Sequence, residues 1–286
     1  MRRRGFSLIE LLVVVVILGI AIALLLPAIA GGHAAAQRTR CQNNLRQISL
    51  GLSNYHHEFE HFPSGYTETP RRSRQEQRAV WGWLVPMLPQ MENNMLSKSL
   101  ATYIGVDAVD NQTAVATTIN ISTCTSEPDY TAPLQFPNPD KTKPSIKLAG
   151  SNYVGCFGTE DPLDPALKGR GNGIFYQNSA TTLDQILDGS SATFLVGERR
   201  RTDGPVAWAG GIGPNAPAFV LGSTGNDLGP NAKPKHLWQF SSHHGGGSYF
   251  AFGDGSVRFV HDTIGTSIYR AHATKAGGEI ISDFAE

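Results

Sequence analysis

The sequence predicts an α+β protein, in which one long N-terminal helix packs along an antiparallel, mostly β head. Three observations carry that prediction. Residues 7–60 hold an apolar run and then apolar residues at helical spacing, ended by Pro63-Ser64-Gly65. The rest of the chain breaks into short apolar runs between clusters of Gly, Pro, Asn and Asp, the pattern of short strands and turns. Composition agrees: 31 Gly and 17 Pro are too many for an all-helical chain, and 40% hydrophobic residues are too many for a disordered one.

Lys+Arg and Asp+Glu each total 24, so the net charge is zero. A domain built to grip nucleic-acid phosphates is strongly basic, so no nucleic-acid partner is expected. The zero conceals an asymmetry, because residues 1–40 carry five Arg and one Glu. A basic start ahead of an apolar run is a membrane-targeting pattern. Between residues 6 and 26, 16 of 21 positions are Phe, Leu, Ile or Val. As a helix at ~1.5 Å per residue this run is about 31 Å long, the thickness of a hydrocarbon core. Its apolar side chains favour insertion by roughly 5–10 kcal/mol, and one carboxylate, Glu10, opposes it by less than the about 2.5–3.5 kcal/mol that it would cost at the helix centre, so insertion wins. Arg2-Arg3-Arg4 should hold the N-terminus in the cytoplasm and leave the remainder outside. Two export signals compete for the same segment. Ala28-Ile29-Ala30 has the form of a signal-peptidase site, and Arg3-Arg4-Gly5-Phe6 the start of a twin-arginine signal. The apolar run is longer than the ~7–15 residues of a secretory signal, and an acid inside it is foreign to one.

Beyond Gly31-Gly32 the residues Cys41, Leu45, Ile48, Leu52, Tyr55, Phe59 and Phe62 recur at alternating spacings of four and three, one face of an α-helix. Pro27 and the two glycines are candidates for a kink at the membrane exit. In the head, Trp81-Gly82-Trp83 opens a turn, with a short helix near 91–100. Residues 125–147, with five prolines, read as loop. Strands are expected at 153–157, 174–177, 193–196, 206–208 and 219–221. The clearest hairpin joins 248–253 to 257–260 around Asp254-Gly255, a favoured tight-turn pair. Asp262 is the expected cap of a last helix that turns Ile264, Ile268 and Ala271 inward and stops at Gly277-Gly278.

Gly5-Phe6-Ser7-Leu8-Ile9-Glu10 resembles the type IV prepilin and pseudopilin signature, in which a peptidase cuts after the glycine. The resemblance implies that Phe6 becomes an N-methylated terminus and that Glu10 lies five residues into the mature chain. It also implies packing among copies, in which the Glu10 carboxylate meets the terminal amine of a neighbour at the same membrane depth. A buried carboxylate needs a partner, and a buried polar group sets register between packed helices. The chain as a whole resembles the DUF1559 family of prepilin-like proteins. Arg40-Cys41-Gln42-Asn43-Asn44-Leu45, the 83–90 block, Gly173-Ile174-Phe175, Asp188-Gly189-Ser190-Ser191 and Val196-Gly197-Glu198 carry that resemblance. So does His244 with Asp254-Gly255, the family's H-x9-DG motif. Cys124-Thr125-Ser126-Glu127-Pro128 departs from the family's Cys-Pro-Ser-Asp, and Cys156 is an additional thiol.

The resemblance divides the chain into a leader (1–5), a transmembrane helix (6–30), its extramembrane continuation (31–62) and a β-rich head (63–286). It implies a structural subunit of a pilus-like fibre or secretion pseudopilus in a bacterial inner membrane, with the head periplasmic or at the cell surface. Its partners would be a prepilin peptidase/N-methyltransferase, other pilin-like subunits, an assembly platform and lipid. Two readings from other classes stand beside it. One is a permanently anchored binding protein, for which Trp81, Trp83, Trp208 and Trp238 are candidate contacts. The other is an exported enzyme using His244 and Asp254. The hairpin chemistry of Asp254-Gly255 favours a structural reading, in which His244 bonds the turn across the hairpin. His56, His57, Glu58, Glu60 and His61 read as a solvated helix face rather than a cation loop. Neither a metal nor a cofactor is expected. Arg199-Arg200-Arg201 reads as a solvated strand end. The three cysteines permit three pairings, and the resemblance implies Cys41 with Cys124, a bridge worth about 3–4 kcal/mol.

Overall fold

The structure, a computed structural model, describes residues 8–69, 78–129, 131–138, 144–225 and 229–279, with the side chains of 25–31, 33 and 34 left aside. Helix α1 (Leu8–Phe59) runs unbroken through Pro27 and both glycines. It ends where Glu60 adopts a left-handed backbone (φ 63°) and its N–H returns to the His56 carbonyl.

The head follows in chain order as β1 (Tyr66–Glu68), β2 (Ala79–Gly82), α2 (Asn94–Lys98), α3 (Gln112–Val115), β3 (Leu134–Phe136) and β4 (Ile146–Leu148). It continues with β5 (Tyr153–Gly158), β6 (Phe194–Glu198), β7 (Gly210–Ile212), β8 (Leu221–Ser223), β9 (Gly247–Phe252), β10 (Val257–His261) and α4 (Thr266–Ala271). Five strands form the central sheet in the order β10-β9-β6-β5-β8, antiparallel except for the β5–β8 pair. A three-stranded sheet, β1-β2-β7, and the β3–β4 hairpin complete the head.

The central sheet is covered on both faces. Alternation along β9 sends Tyr249 and Ala251 towards the core shared with Leu45, Ile48 and Leu52 of α1. Phe250 and Phe252 go to the opposite core, with Phe194, Phe240 and Tyr269 of α4. Phe194 stacks on Phe250 at a centroid distance of 4.2 Å. Each fully buried Leu or Ile of α1 contributes about 1.5–3 kcal/mol by leaving water.

Several expectations need correction. Phe59, read as part of the buried helix face, is 45% exposed and rests against the Tyr55 ring, because the head covers the last turn only at His56 and Glu58. Residues 174–177 and 206–208 are not strands; each makes one isolated bridge, Gln177 to Tyr66 and Ala207 to Gly150. Residues 216–219 form a 3₁₀ turn, so β8 begins only at Leu221. The proline-rich segment read as loop, 125–147, holds β3 and the first two residues of its partner β4. Gly265, not Asp262, precedes α4, and Tyr269 rather than Ile268 faces the core. Gly277 and Gly278 do not stop that helix; their N–H groups are held at 2.7 and 2.8 Å by Asp188. Strands β1, β2 and β7 are too short for a periodicity reading to find.

Candidate functional site

Gly5 and Phe6, the expected cleavage and methylation positions, lie outside the described residues. Glu10 is in the first turn of α1, where the helix dipole favours an acid. Around it every side chain at positions 8–24 is exposed, apolar residues on all sides of the helix. A helix apolar all round belongs inside lipid or a bundle, not in water. Among the described residues no helix is long and apolar enough to cross a membrane. The exposed run with described side chains covers only positions 8–24, and the expected span, 6–30, reaches beyond it at both ends.

Beyond its packed face, the second half of α1 is fastened covalently to the head at one junction. Cys41 and Cys124 are disulfide-bonded with a Cα–Cα distance of 5.3 Å, and Cys156 is free. Beside the bridge, Asn44 Nδ2 donates to the Thr123 carbonyl at 2.8 Å and Gln37 Nε2 to the Thr125 carbonyl at 3.3 Å. Asn152 positions the loop that carries Cys124, accepting from the Cys124 N–H at 2.9 Å and donating to Glu127 at 2.8 Å. Glu127 also accepts from the Arg201 backbone and faces His243 Nε2, each at 3.1 Å. Burial works against its charge, but the His243, Arg201 and Asn152 hydrogen bonds prevail and hold the carboxyl below its ordinary range. The departure at Cys124–Thr125–Ser126–Glu127 is thus accommodated by a longer acid with three donors.

His244 and Asp254 do not meet, contrary to the cross-hairpin bond expected of them. Strand β9 separates them by about 20 Å at ~3.3 Å per residue. His244 is buried and turns to the junction, its Nε2 3.7 Å from Cys124 Sγ and 3.5 Å from Glu198 Oε1. Asp254 is exposed, and its Oδ1 accepts from the Ser256 N–H at 2.9 Å to fix the turn. Gly255 supplies the left-handed residue (φ +87°), and a Cβ there would stand 3.8 Å from Ser49 Oγ of α1. At the other end, a Cβ on Gly245 would stand 3.8 Å from Arg38 of α1. The motif therefore brackets β9, and both of its ends abut the same helix three turns apart.

Other residues singled out from the sequence have structural surroundings. Trp81, Trp83 and Trp208 are buried, their indole N–H groups donating to the carbonyls of Ile104, Val220 and Thr117 at 2.9–3.0 Å. Trp238 is half-buried against His236. Arg199, read as solvated, is 1% exposed; its guanidinium donates to the carbonyls of Leu221 (2.9 Å), Leu237 (2.7 Å) and Ala218. Burial lowers its pKa to about 9. Burial likewise pushes the Cys156 thiol up to about 12, which leaves it protonated and inert. Of the helix-face group, His56 accepts from the Leu183 N–H and Glu58 from Gln90. A cleft of about 380 Å³ between α1 and the 118–125 segment is lined by Arg40, Asn44, Gln47, Asn93, Asn120 and Thr123 among others. Sequence reading missed Asn152 and the role of Glu198, because neither lies near its partners along the chain.

An exposed apolar rod is thus continuous with a helix enclosed by an α+β head. Residues 1–26 match the prokaryotic N-terminal methylation motif, and residues 32–267 match the family described as "Protein of unknown function (DUF1559)". The chain belongs to that family and carries a prepilin-type N-terminus. No curated protein and no solved structure matches it.

Proposed function

We propose that the protein is a structural subunit, not an enzyme, cleaved after Gly5, N-methylated at Phe6 and anchored in a bacterial inner membrane by residues 6–30. From there it joins a pilus-like or secretion pseudopilus fibre, with its head outside the cytoplasm. The observation that supports this is the bare helix at 8–24, apolar on every side apart from Glu10 and lying within the methylation motif at 1–26. Packing such rods against one another removes them from lipid and water alike, and one acid at a fixed depth sets their register. A prepilin peptidase, an assembly platform with its ATPase, and further pilin-like subunits are the required partners. The separation of His244 from Asp254 weighs against the enzyme reading, which needs them in one pocket. The test has two parts. Mass analysis of the mature N-terminus should find methyl-Phe at residue 6; an intact Arg2-Arg3-Arg4 leader or an end at Gly31 would refute the processing route. Glu10→Val should abolish incorporation into cross-linked multimers while leaving the head's melting temperature unchanged. If the variant assembles like the parent, or the parent never assembles, the chain is an anchored binding protein.

A further inference from the structure

The junction holds more ligating chemistry than a disulfide requires. Cys41, Cys124, Glu198 and His244 are all buried, and one ligating atom from each lies within 4.8 Å of every other. They come from four separate places in the chain: α1, the loop after the 3₁₀ turn at Asn120–Ser122, the end of β6 and the approach to β9. The carboxylate is half satisfied. Glu198 Oε2 accepts from the Tyr249 N–H at 2.8 Å, whereas Oε1, buried and without a hydrogen bond among the described residues, faces His244 Nε2 at 3.5 Å. Leaving a buried carboxylate oxygen so costs free energy unless something else uses it.

The spacings have a chemical meaning. Zinc bonds of ~2.3 Å to sulfur and ~2.0–2.1 Å to nitrogen or oxygen give a tetrahedron with S–N and N–O edges of about 3.5 and 3.3 Å. The 3.7 Å from Cys124 Sγ to His244 Nε2 and the 3.5 Å from Nε2 to Glu198 Oε1 are within ~0.2 Å of those edges. The two sulfurs, being bonded to each other, are too close to serve as separate ligands until that bond is broken. We infer that Cys41, Cys124, Glu198 and His244 form a zinc-class metal site that is closed while the Cys41–Cys124 disulfide exists and opens when it is reduced.

Two chemical steps connect the states. A dithiol reductant gives two electrons and two protons to the Cys41–Cys124 bond, which breaks to two thiols as the reductant becomes its own disulfide. Zinc then binds both sulfurs, and their two protons go to solvent. Two thiolates, a carboxylate and a neutral imidazole complete a four-coordinate site with no open position, the structural rather than catalytic kind. The bare charge of that set exceeds the ion's by one, and the guanidinium of Arg38 of α1 lies next to Gly245, the residue after His244. Zinc and disulfide are then alternative clasps at the same point, each tying α1 to the head. The spacing 41/124/198/244 matches no ligand motif, which is why the sequence predicts no metal.

The test uses the full mature chain in detergent micelles, with Cys156→Ser so that the third thiol cannot contribute. Protein reduced by a phosphine, which leaves as its oxide with oxygen from water, is titrated with Co²⁺ and then Zn²⁺ beside the oxidised form. The reduced form should take up a single Co²⁺ with thiolate-to-cobalt charge-transfer absorption and tetrahedral d–d bands, and Zn²⁺ should displace it. The oxidised form should show neither band. Glu198→Gln and His244→Gln should each weaken binding by more than the roughly 10–100-fold that loss of an outer-shell partner costs. Near-ultraviolet circular dichroism of their oxidised forms checks that both variants fold. Absence of the charge-transfer band overturns the inference, as does a band unchanged by both folded variants. If reduction unfolds the head, recovery of the near-ultraviolet signal on adding Zn²⁺ supports the site, and failure to recover overturns it.

Discussion

From residue 8 to residue 24 helix α1 turns every side chain outward, whereas between Cys41 and Leu52 it buries one face completely. Both halves are helical and both are rich in Leu and Ile, so local propensity does not distinguish them. What differs is distribution around the axis. The first half is apolar on all sides and needs an apolar surrounding. The second is apolar on one stripe and needs only a sheet, which β6, β9 and β10 supply. One continuous helix thereby couples two environments, and the head's stability should be independent of the rod's assembly.

The largest test of that separation concerns the clasp. Replacing both Cys41 and Cys124 by Ser removes a bridge across 83 residues and should cost the head about 4 kcal/mol in urea unfolding. Retained stability would show that α1 is held by packing alone. Next in size is a matched pair of truncations. Leu52→Ala, in the enclosed half, should cost about 2–5 kcal/mol of head stability, and Leu12→Ala, in the bare half, less than about 0.5 kcal/mol. Equal effects would erase the distinction between the halves. Gly255→Ala should cost about 1–2 kcal/mol, because an L-residue is strained at φ +87°. It should also loosen the hairpin against Ser49, seen as faster amide exchange in that turn of α1.

The smallest effect is electrostatic. The Glu127 carboxyl titrates lower in the folded head than its ordinary value of 4.5. Its stabilisation is therefore complete above that value and fades as pH falls below it. Glu127→Gln should flatten the acid limb of the stability–pH curve while leaving the bare half of α1 unaffected; an unchanged limb would show that the junction carboxylate is not coupled to folding.

Much of this was legible in the residues. The spacing of Cys41, Leu45, Ile48 and Leu52 marks the enclosed stripe, because a helix repeats its faces locally. Asp254-Gly255 marks the hairpin, because a tight turn demands a left-handed residue. Phe59 and Ile268 misled, since periodicity says which residues share a face but not where the covering surface ends. Strands β1, β2 and β7, of three or four residues, fall below what alternation resolves.

By itself the sequence determined the helix, its two halves, the turn at Asp254-Gly255 and the N-terminal methylation motif, all of them properties of neighbours along the chain. Tertiary structure alone decided that His244 turns from Asp254 to Glu198 and the Cys41–Cys124 bridge, and that Arg199 is buried among carbonyls. Those contacts join residues 19–120 positions apart, and their geometry exists only once the sheet has closed on α1.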